Sequence, residues 1–268
     1  MRCLLVADLH YDLRKFDWVI AAARHMDVVV LAGDHLDAAA TVARSSQAVV
    51  VQQYFRRIRE RAPLLVCSGN HDLDHRDERG VMSTRWIARA RHLDVPADGD
   101  SRLIGDTLFT SCPWSDSVLT QRAVAAQLEH AAAERPACWI WIHHAPPAAS
   151  PVSWDGRRCY GDPGLRALIE RHRPDLVLSG HVHQAPFTRQ GSWADRIGTT
   201  WAFNAGHQIG PVPSHLVVDT ERREAFWCSL AATELTPLIP TAAAPFPPVE
   251  DPPAWLLAIA RPAAPTPG

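Results

Sequence analysis

Short apolar runs separated by polar, helix-length stretches set the pattern of this chain. Residues 3–7, 28–32, 64–67, 138–142 and 176–178 are rich in Val, Ile, Leu and Trp and too short for helices, which predicts buried strands. Helices are predicted at 15–25 and 41–61 between the first three runs, at 83–92 after them, and at 118–135 and 163–172 before the last two. Strand and helix alternate, as in an α/β sheet with helices packed on it. Beyond them, 198–204, 215–219 and 224–228 follow one another across tight turns without a helix, so an antiparallel or mixed sheet is expected to close one domain over 1–230. From 231 the pattern stops, and ten of the 22 prolines fall in 231–268. Proline removes an amide donor and favours extended chain, so a largely irregular tail is expected there, with 255–260 able to form at most a short helix. Such a tail either drapes loosely over the surface or docks through Trp255, Leu256 and Leu257, on the body or on a protein partner.

Composition narrows the class without naming a function. At 268 residues, 47% hydrophobic and 21% charged, the chain can bury a large core, which excludes wholesale disorder and fibrous architectures. Lys+Arg at 27 against Asp+Glu at 29 leaves a net charge of -2, so no global positive field supports a nucleic-acid partner. No stretch approaches the roughly 20 apolar residues of a membrane span. The first apolar run stops at Asp8, short of the roughly 7–15 residues of a signal peptide core. The six cysteines form no C-x-x-C pair, and Cys3, Cys67 and Cys138 lie in strand-like runs, so reduced thiols and a cytoplasmic location are expected. No Walker or dinucleotide glycine loop is present.

The chemistry sits at the strand ends. The first run leads into Asp8-Leu9-His10 and the second into Gly33-Asp34-His35-Leu36-Asp37. The third leads into Gly69-Asn70-His71-Asp72, the fourth into His143-His144, and the fifth into Gly180-His181-Val182-His183. In an α/β sheet the carboxyl ends of strands face one crevice, so groups remote in sequence can meet there. One histidine beside a strand would ordinarily be structural, whereas five ordered motifs, each ending a buried run, point to a metal site. Oxygen and imidazole donors without thiolate suit Mn, Fe, Zn or a mixed pair.

These blocks resemble those of the calcineurin-like binuclear metallophosphoesterases, D-x-H, G-D-x-x-D, G-N-H-D/E, H and G-H-x-H, over about residues 1–220. The resemblance implies a four-layer α-β-β-α sandwich of two mixed β-sheets flanked by helices. It also implies two divalent metal ions as cofactors, one held by Asp8, His10, Asp34 and His183, the other by Asp34, Asn70, His143 and His181, with Asp34 bridging. By the same resemblance His71 is the catalytic histidine and Asp72 orients it. His143 is preferred to His144 because it directly follows the strand, leaving His144 as a residue near the substrate. Asp37 is read as bonding its own loop rather than a metal.

Two carboxylates against two divalent ions leave a net positive site, suited to an anionic phosphate, which paired metals and a proton donor can hydrolyse. Loops 73–82, 145–162 and 184–197 should wall the cleft. Arg157 and Arg158 within them are candidates for clamping a phosphate, while Trp193 and, outside these loops, Trp114 are either base platforms or core. The arginines at 56, 57, 59 and 61 are read as a solvated helix end. The expected activity is hydrolysis of phosphodiesters, small or nucleotide-type. The alternatives are a phosphomonoesterase or protein phosphatase, a nuclease, and a non-catalytic protein-binding scaffold, which should have lost ligands.

Overall fold

The computed structural model describes residues 1–134 and 137–260. The end of the helix expected to reach 135 and the last residues of the tail, 261–268, lie outside them. The chain begins with strand β1 (Arg2–Val6), helix α1 (Leu13–Ala23), β2 (Val28–Ala32), α2 (Arg44–Arg59) and β3 (Leu64–Cys67). A minute hairpin, β4 (His75–Arg76) and β5 (Met82–Ser83), precedes α3 (Arg85–Ala88), where the sequence predicts a longer helix. The hairpin β6 (Ser101–Ile104) and β7 (Thr107–Ser111) went unpredicted, because its mixed polar residues hide strands; in β7 every residue is nonetheless buried. Then come α4 (Val118–Ala132), β8 (Cys138–Ile142), α5 (Pro163–His172) and β9 (Leu176–Ser179). The chain continues through β10 (Ala194–Ile197), β11 (Thr200–Asn204), β12 (His215–Asp219), β13 (Glu224–Cys228), β14 (Thr233–Pro237) and α6 (Ala254–Ile259).

The strands form two six-stranded sheets, ordered β14-β13-β12-β1-β2-β3 and β10-β11-β9-β8-β7-β6. The first is parallel over β1, β2 and β3 and antiparallel from β1 through β12 and β13 to β14, while the second is parallel over β7, β8, β9 and β11 with antiparallel edge strands β6 and β10. Strand alternation sorts the side chains into layers. Leu5, Val30, Phe109, Ile140, Ile142 and Leu178 meet between the sheets. Leu4, Val6 and Val29 turn the other way, onto Phe16 of α1 and Phe55 of α2. Trp139, Trp141 and Val177 pack on Leu128 of α4 and Ile169 of α5. The result is the expected α-β-β-α sandwich of two mixed sheets.

The break expected at 231 falls too early. Thr233–Pro237 adds an edge strand to β13, with its proline last, where a missing amide is tolerated. Further on, α6 buries Leu256 and Ile259, and the Trp18 indole on α1 donates to the Ile259 carbonyl at 2.7 Å. Proline density signals irregular backbone, but not whether that backbone is packed.

Candidate metal centre

The carboxyl ends of β1, β2, β3, β8, β9 and β11 converge where the two sheets meet. Asp8 and Asp34 are buried at its floor. Asp8 accepts the His181 backbone N–H at 3.0 Å and lies 3.1 Å from His183 Nε2. His10 Nε2 is 3.2 Å from His183 Nε2, 3.8 Å from Asp8 and 4.0 Å from Asp34. Asp34 Oδ1 accepts the His71 N–H at 2.9 Å, while Oδ2 faces His144 Nε2 at 3.2 Å and His71 Nε2 at 3.9 Å.

The turns that present these groups are conformationally demanding. Asp8, His10, Tyr11, Asp34 and His181 all have positive φ, between 44° and 66°, a region that ordinarily costs a residue with a Cβ about 1 kcal/mol or more. Glycine permits the close approach of strand ends: a Cβ on Gly69 would run into the Asp34 carboxylate, and one on Gly180 into that of Asp8.

Electrostatics follow the same geometry. Burial alone would raise Asp8, but the His183 hydrogen bond and the charge of His144, His183 and His10 hold it below the usual carboxylate range. Burial likewise works against Asp34, and His144 outweighs it, with help from the His71 N–H. His144, which burial would lower, is pushed up to about 9 by Asp34 and Asp8. His181 goes the other way, to about 4, through burial and the neighbouring His144.

Two expected residues are placed differently. His143 turns away from Asp8 and Asp34 and towards Asp162, whose carboxylate lies 4.0 Å from its Nε2. Its Nδ1 donates to the Ala145 carbonyl at 2.8 Å, its Nε2 lies 3.2 Å from Ser115 Oγ, and its pKa is lowered, chiefly by burial. The period of two explains the exchange: Trp139, Trp141 and His143 point to the helix layer, while Ile140, Ile142 and His144 point between the sheets, where the site lies. His144 is held there by donating from Nδ1 to the Ala32 carbonyl at 2.6 Å. Asp72, expected to orient His71, instead accepts four N–H groups from other residues. These are the backbone N–H groups of His35 at 3.0 Å, Leu36 at 3.1 Å and Gly69 at 2.9 Å, and His35 Nδ1 at 3.0 Å. It sits on the buried side of the Asn70–Asp72 turn and braces the loop carrying Asp34 against the loop carrying His71. His71 is oriented by the Ala38 N–H, 3.4 Å from its Nδ1.

Of the flanking candidates, Arg157 and Arg158 lie in an exposed turn tied by their backbone N–H groups to Asp155, with the Arg158 guanidinium 5.5 Å from the Tyr160 ring centre. Trp193 is core, donating to Glu234. Trp114 packs on His181 at 5.1 Å and on His144 at 5.7 Å, and Tyr160 lies 5.9 Å from His181. Asp37 accepts the Ala39 N–H in its own loop.

Three further residues escaped the sequence reading. His35 is one, through Asp72. The others are His207, whose ring lies 4.7 Å from His183 and 5.5 Å from His10, and Lys15, whose Nζ is 2.6 Å from His207 Nε2. Burial and Lys15 push His207 down to about 3. Its signal was legible: Gly206-His207 follows the apolar run of β11 as Gly180-His181 follows β9.

The residues fit metal ions. Among the described residues, His10, Asp34 and His71 have one donor atom each within 4.8 Å of one another, as do Asp34, His144 and His181. The Asn70 side-chain oxygen is buried without a hydrogen-bond partner among the described residues, which a cation would satisfy. No thiolate enters these groups, so borderline or hard divalent ions suit them.

Known proteins give the same answer at the level of fold. The TT1561 protein of Thermus thermophilus is similar at TM-score 0.57 and 16% identity, over 89% of this chain and 99% of that one. Purple acid phosphatase PPD1 of yellow lupin, Lupinus luteus, is similar at 0.51 and 13%, over 89% of this chain and 51% of that one. No curated protein matches by sequence. No described helix is long and apolar enough to cross a membrane. The calcineurin-like phosphoesterase family model matches residues 1–185, which hold β1 to β9 and the strand ends around Asp8, Asp34, His144 and His181. With its two carboxylates among histidines, two divalent metal ions for cofactors and the sandwich beneath them, the chain belongs to the calcineurin-like phosphoesterases, metal-dependent hydrolases of phosphoric esters.

Proposed function

We propose that this phosphoesterase hydrolyses phosphodiesters, small or nucleotide-type. Asp8, His10, Asp34 and His183 hold one ion, and Asp34, Asn70, His144 and His181 the other. Bound divalent metals polarise phosphoryl oxygens and lower the pKa of water. The chain itself contributes the proton donor. The Ala38 N–H faces His71 Nδ1, so the neutral ring carries its proton on Nε2, the nitrogen turned towards Asp34 and the reacting phosphate. His71 is 31% exposed, which lets that proton reach a leaving oxygen.

The observation that carries the diester reading is the aromatic flank. Tyr160, 52% exposed, lies beside His181 with Arg158 over it, while His71 stands beside His10, with ring centres 4.8 Å apart. Two different flanks thus suit two ester groups, one of them stacking on an aromatic face. The buried Lys15 ammonium favours a second reading, since added positive charge suits a dianionic monoester. Imidazole and carboxylate donors suit Mn, Fe or Zn, and the buried thiols of Cys3, Cys67, Cys112 and Cys228 suit a reducing cytoplasm.

The test is turnover of bis(p-nitrophenyl) phosphate beside p-nitrophenyl phosphate, by metal-stripped protein reloaded with Mn, Zn, Fe or Mg. Metal-dependent diester turnover, lost in Asn70→Ala and His71→Ala, supports the proposal. Faster monoester turnover sinks it in favour of the second reading.

A further inference from the structure

The one lysine of this chain stands against 26 arginines, and it is 2% exposed. Lys15 lies in the first turn of α1, just beyond His10, and a buried ammonium needs an acceptor. The structure provides His207 Nε2, 2.6 Å away. His207 arrives on a loop that is itself pinned. Asn204 donates to the Val152 and Val182 carbonyls at 2.8 and 3.0 Å and accepts the Gly206 N–H at 2.8 Å, while the His207 N–H reaches the His183 carbonyl at 3.3 Å. A ring nitrogen of His207 lies within 4.8 Å of donor atoms on His10 and His183, so the ring belongs to the site.

Proton bookkeeping decides what that ring can do. An ammonium has three donors and no acceptor, so the nitrogen facing it must carry the lone pair, and the proton of the neutral imidazole sits on Nδ1. With Nε2 engaged and Nδ1 protonated, no lone pair is left for a metal. What the pair then offers near His10 and His183 is N–H donors, one on the His207 ring and others on the ammonium behind it. Arginine would not serve in its place, because a planar fork on a longer stem cannot be held as a compact point charge behind a ring.

We infer that His207 binds substrate, donating a hydrogen bond to a phosphate oxygen at the edge of the site, and that Lys15 is the positioning residue that fixes its tautomer. The inference rests on the phosphoesterase reading for the chemistry of the ligand, not on the preference for diesters.

The test uses zinc-loaded full-length protein with inorganic phosphate as the probe. Wild type should show the Nδ1–H tautomer for His207 in ¹H–¹⁵N spectra of the imidazoles. His207→Ala should keep the wild-type metal content by mass spectrometry and weaken phosphate binding by about 10- to 100-fold, as expected for one hydrogen bond to a charged group. Lys15→Met should leave the metal content unchanged, move the His207 proton from Nδ1 and weaken phosphate binding. If Lys15→Met does not fold, the wild-type tautomer and His207→Ala decide between them. Loss of an ion in His207→Ala would make this histidine a metal ligand and overturn the inference, as would an Nε2–H tautomer in wild type or unchanged phosphate affinity in His207→Ala. Phosphate binding with the expected tautomer, together with monoester but no diester turnover by wild type, would support the inference and sink the diester proposal alone.

Discussion

Exchanging either member of the His143-His144 pair for asparagine separates the two histidines cleanly. The asparagine amide nitrogen sits near the position of imidazole Nδ1, so His144→Asn retains a donor for the Ala32 carbonyl and removes only Nε2, the atom 3.2 Å from Asp34. His143→Asn equally retains a donor for the Ala145 carbonyl. With its bond kept, His143→Asn should lose about 1–2 kcal/mol, the range of a weakened hydrogen bond, or roughly 2–8 °C in Tm for a domain this size, whereas His144→Asn also leaves buried Asp34 without its charged partner and should lose about 3–5 kcal/mol in the metal-free protein. Metal affinity should diverge far more. Partners one step removed from a metal typically account for about 10–100-fold, so loss of the ligand itself in His144→Asn should exceed about 100-fold. His143→Asn should stay within a few-fold of wild type. The assay is metal content per chain after dialysis against graded chelator, with thermal melting in parallel. Loss of an ion from His143→Asn, with full retention by His144→Asn, would refute the side-chain alternation on which the assignment stands.

Asp72→Asn puts an N–H₂ group among four N–H donors in a fully buried position and should cost about 3–5 kcal/mol in urea unfolding; an unshifted midpoint would contradict the bracing role. His144 binds its proton more tightly in the folded metal-free chain, up to about 9, than an unfolded imidazole does at about 6.5. Its contribution to metal-free stability is therefore full below about 6.5 and lost as pH rises through about 9, and metal loading at pH 7 should release its proton to an indicator dye. Ending the chain after residue 230 removes β14 and the buried Leu256 and Ile259, the two side chains alone being worth about 3–6 kcal/mol, and should lower Tm sharply.

Most of the chemistry could be read along the chain because strand ends in an α/β sheet share one crevice, so ligand types at the ends of buried runs are already a statement about space. Asp8, His10, Asp34, His181 and His183 were identified in this way, and the structure brings them together. The choice between His143 and His144 was also written in the sequence, since a period of two from Ile140 and Ile142 leads to His144. Adjacency to the strand was the weaker guide. Asp72 could not be assigned from sequence, because a carboxylate beside a histidine in the chain turns away once the Asn70–Asp72 turn buries it against His35. Lys15 and His207, 192 positions apart, meet only because β11 runs parallel to β9 and α1 starts at the end of β1. Local periodicity and residue type determine which groups arrive at the crevice. The order of strands in the two sheets, and the burial it imposes, decides which of them touch.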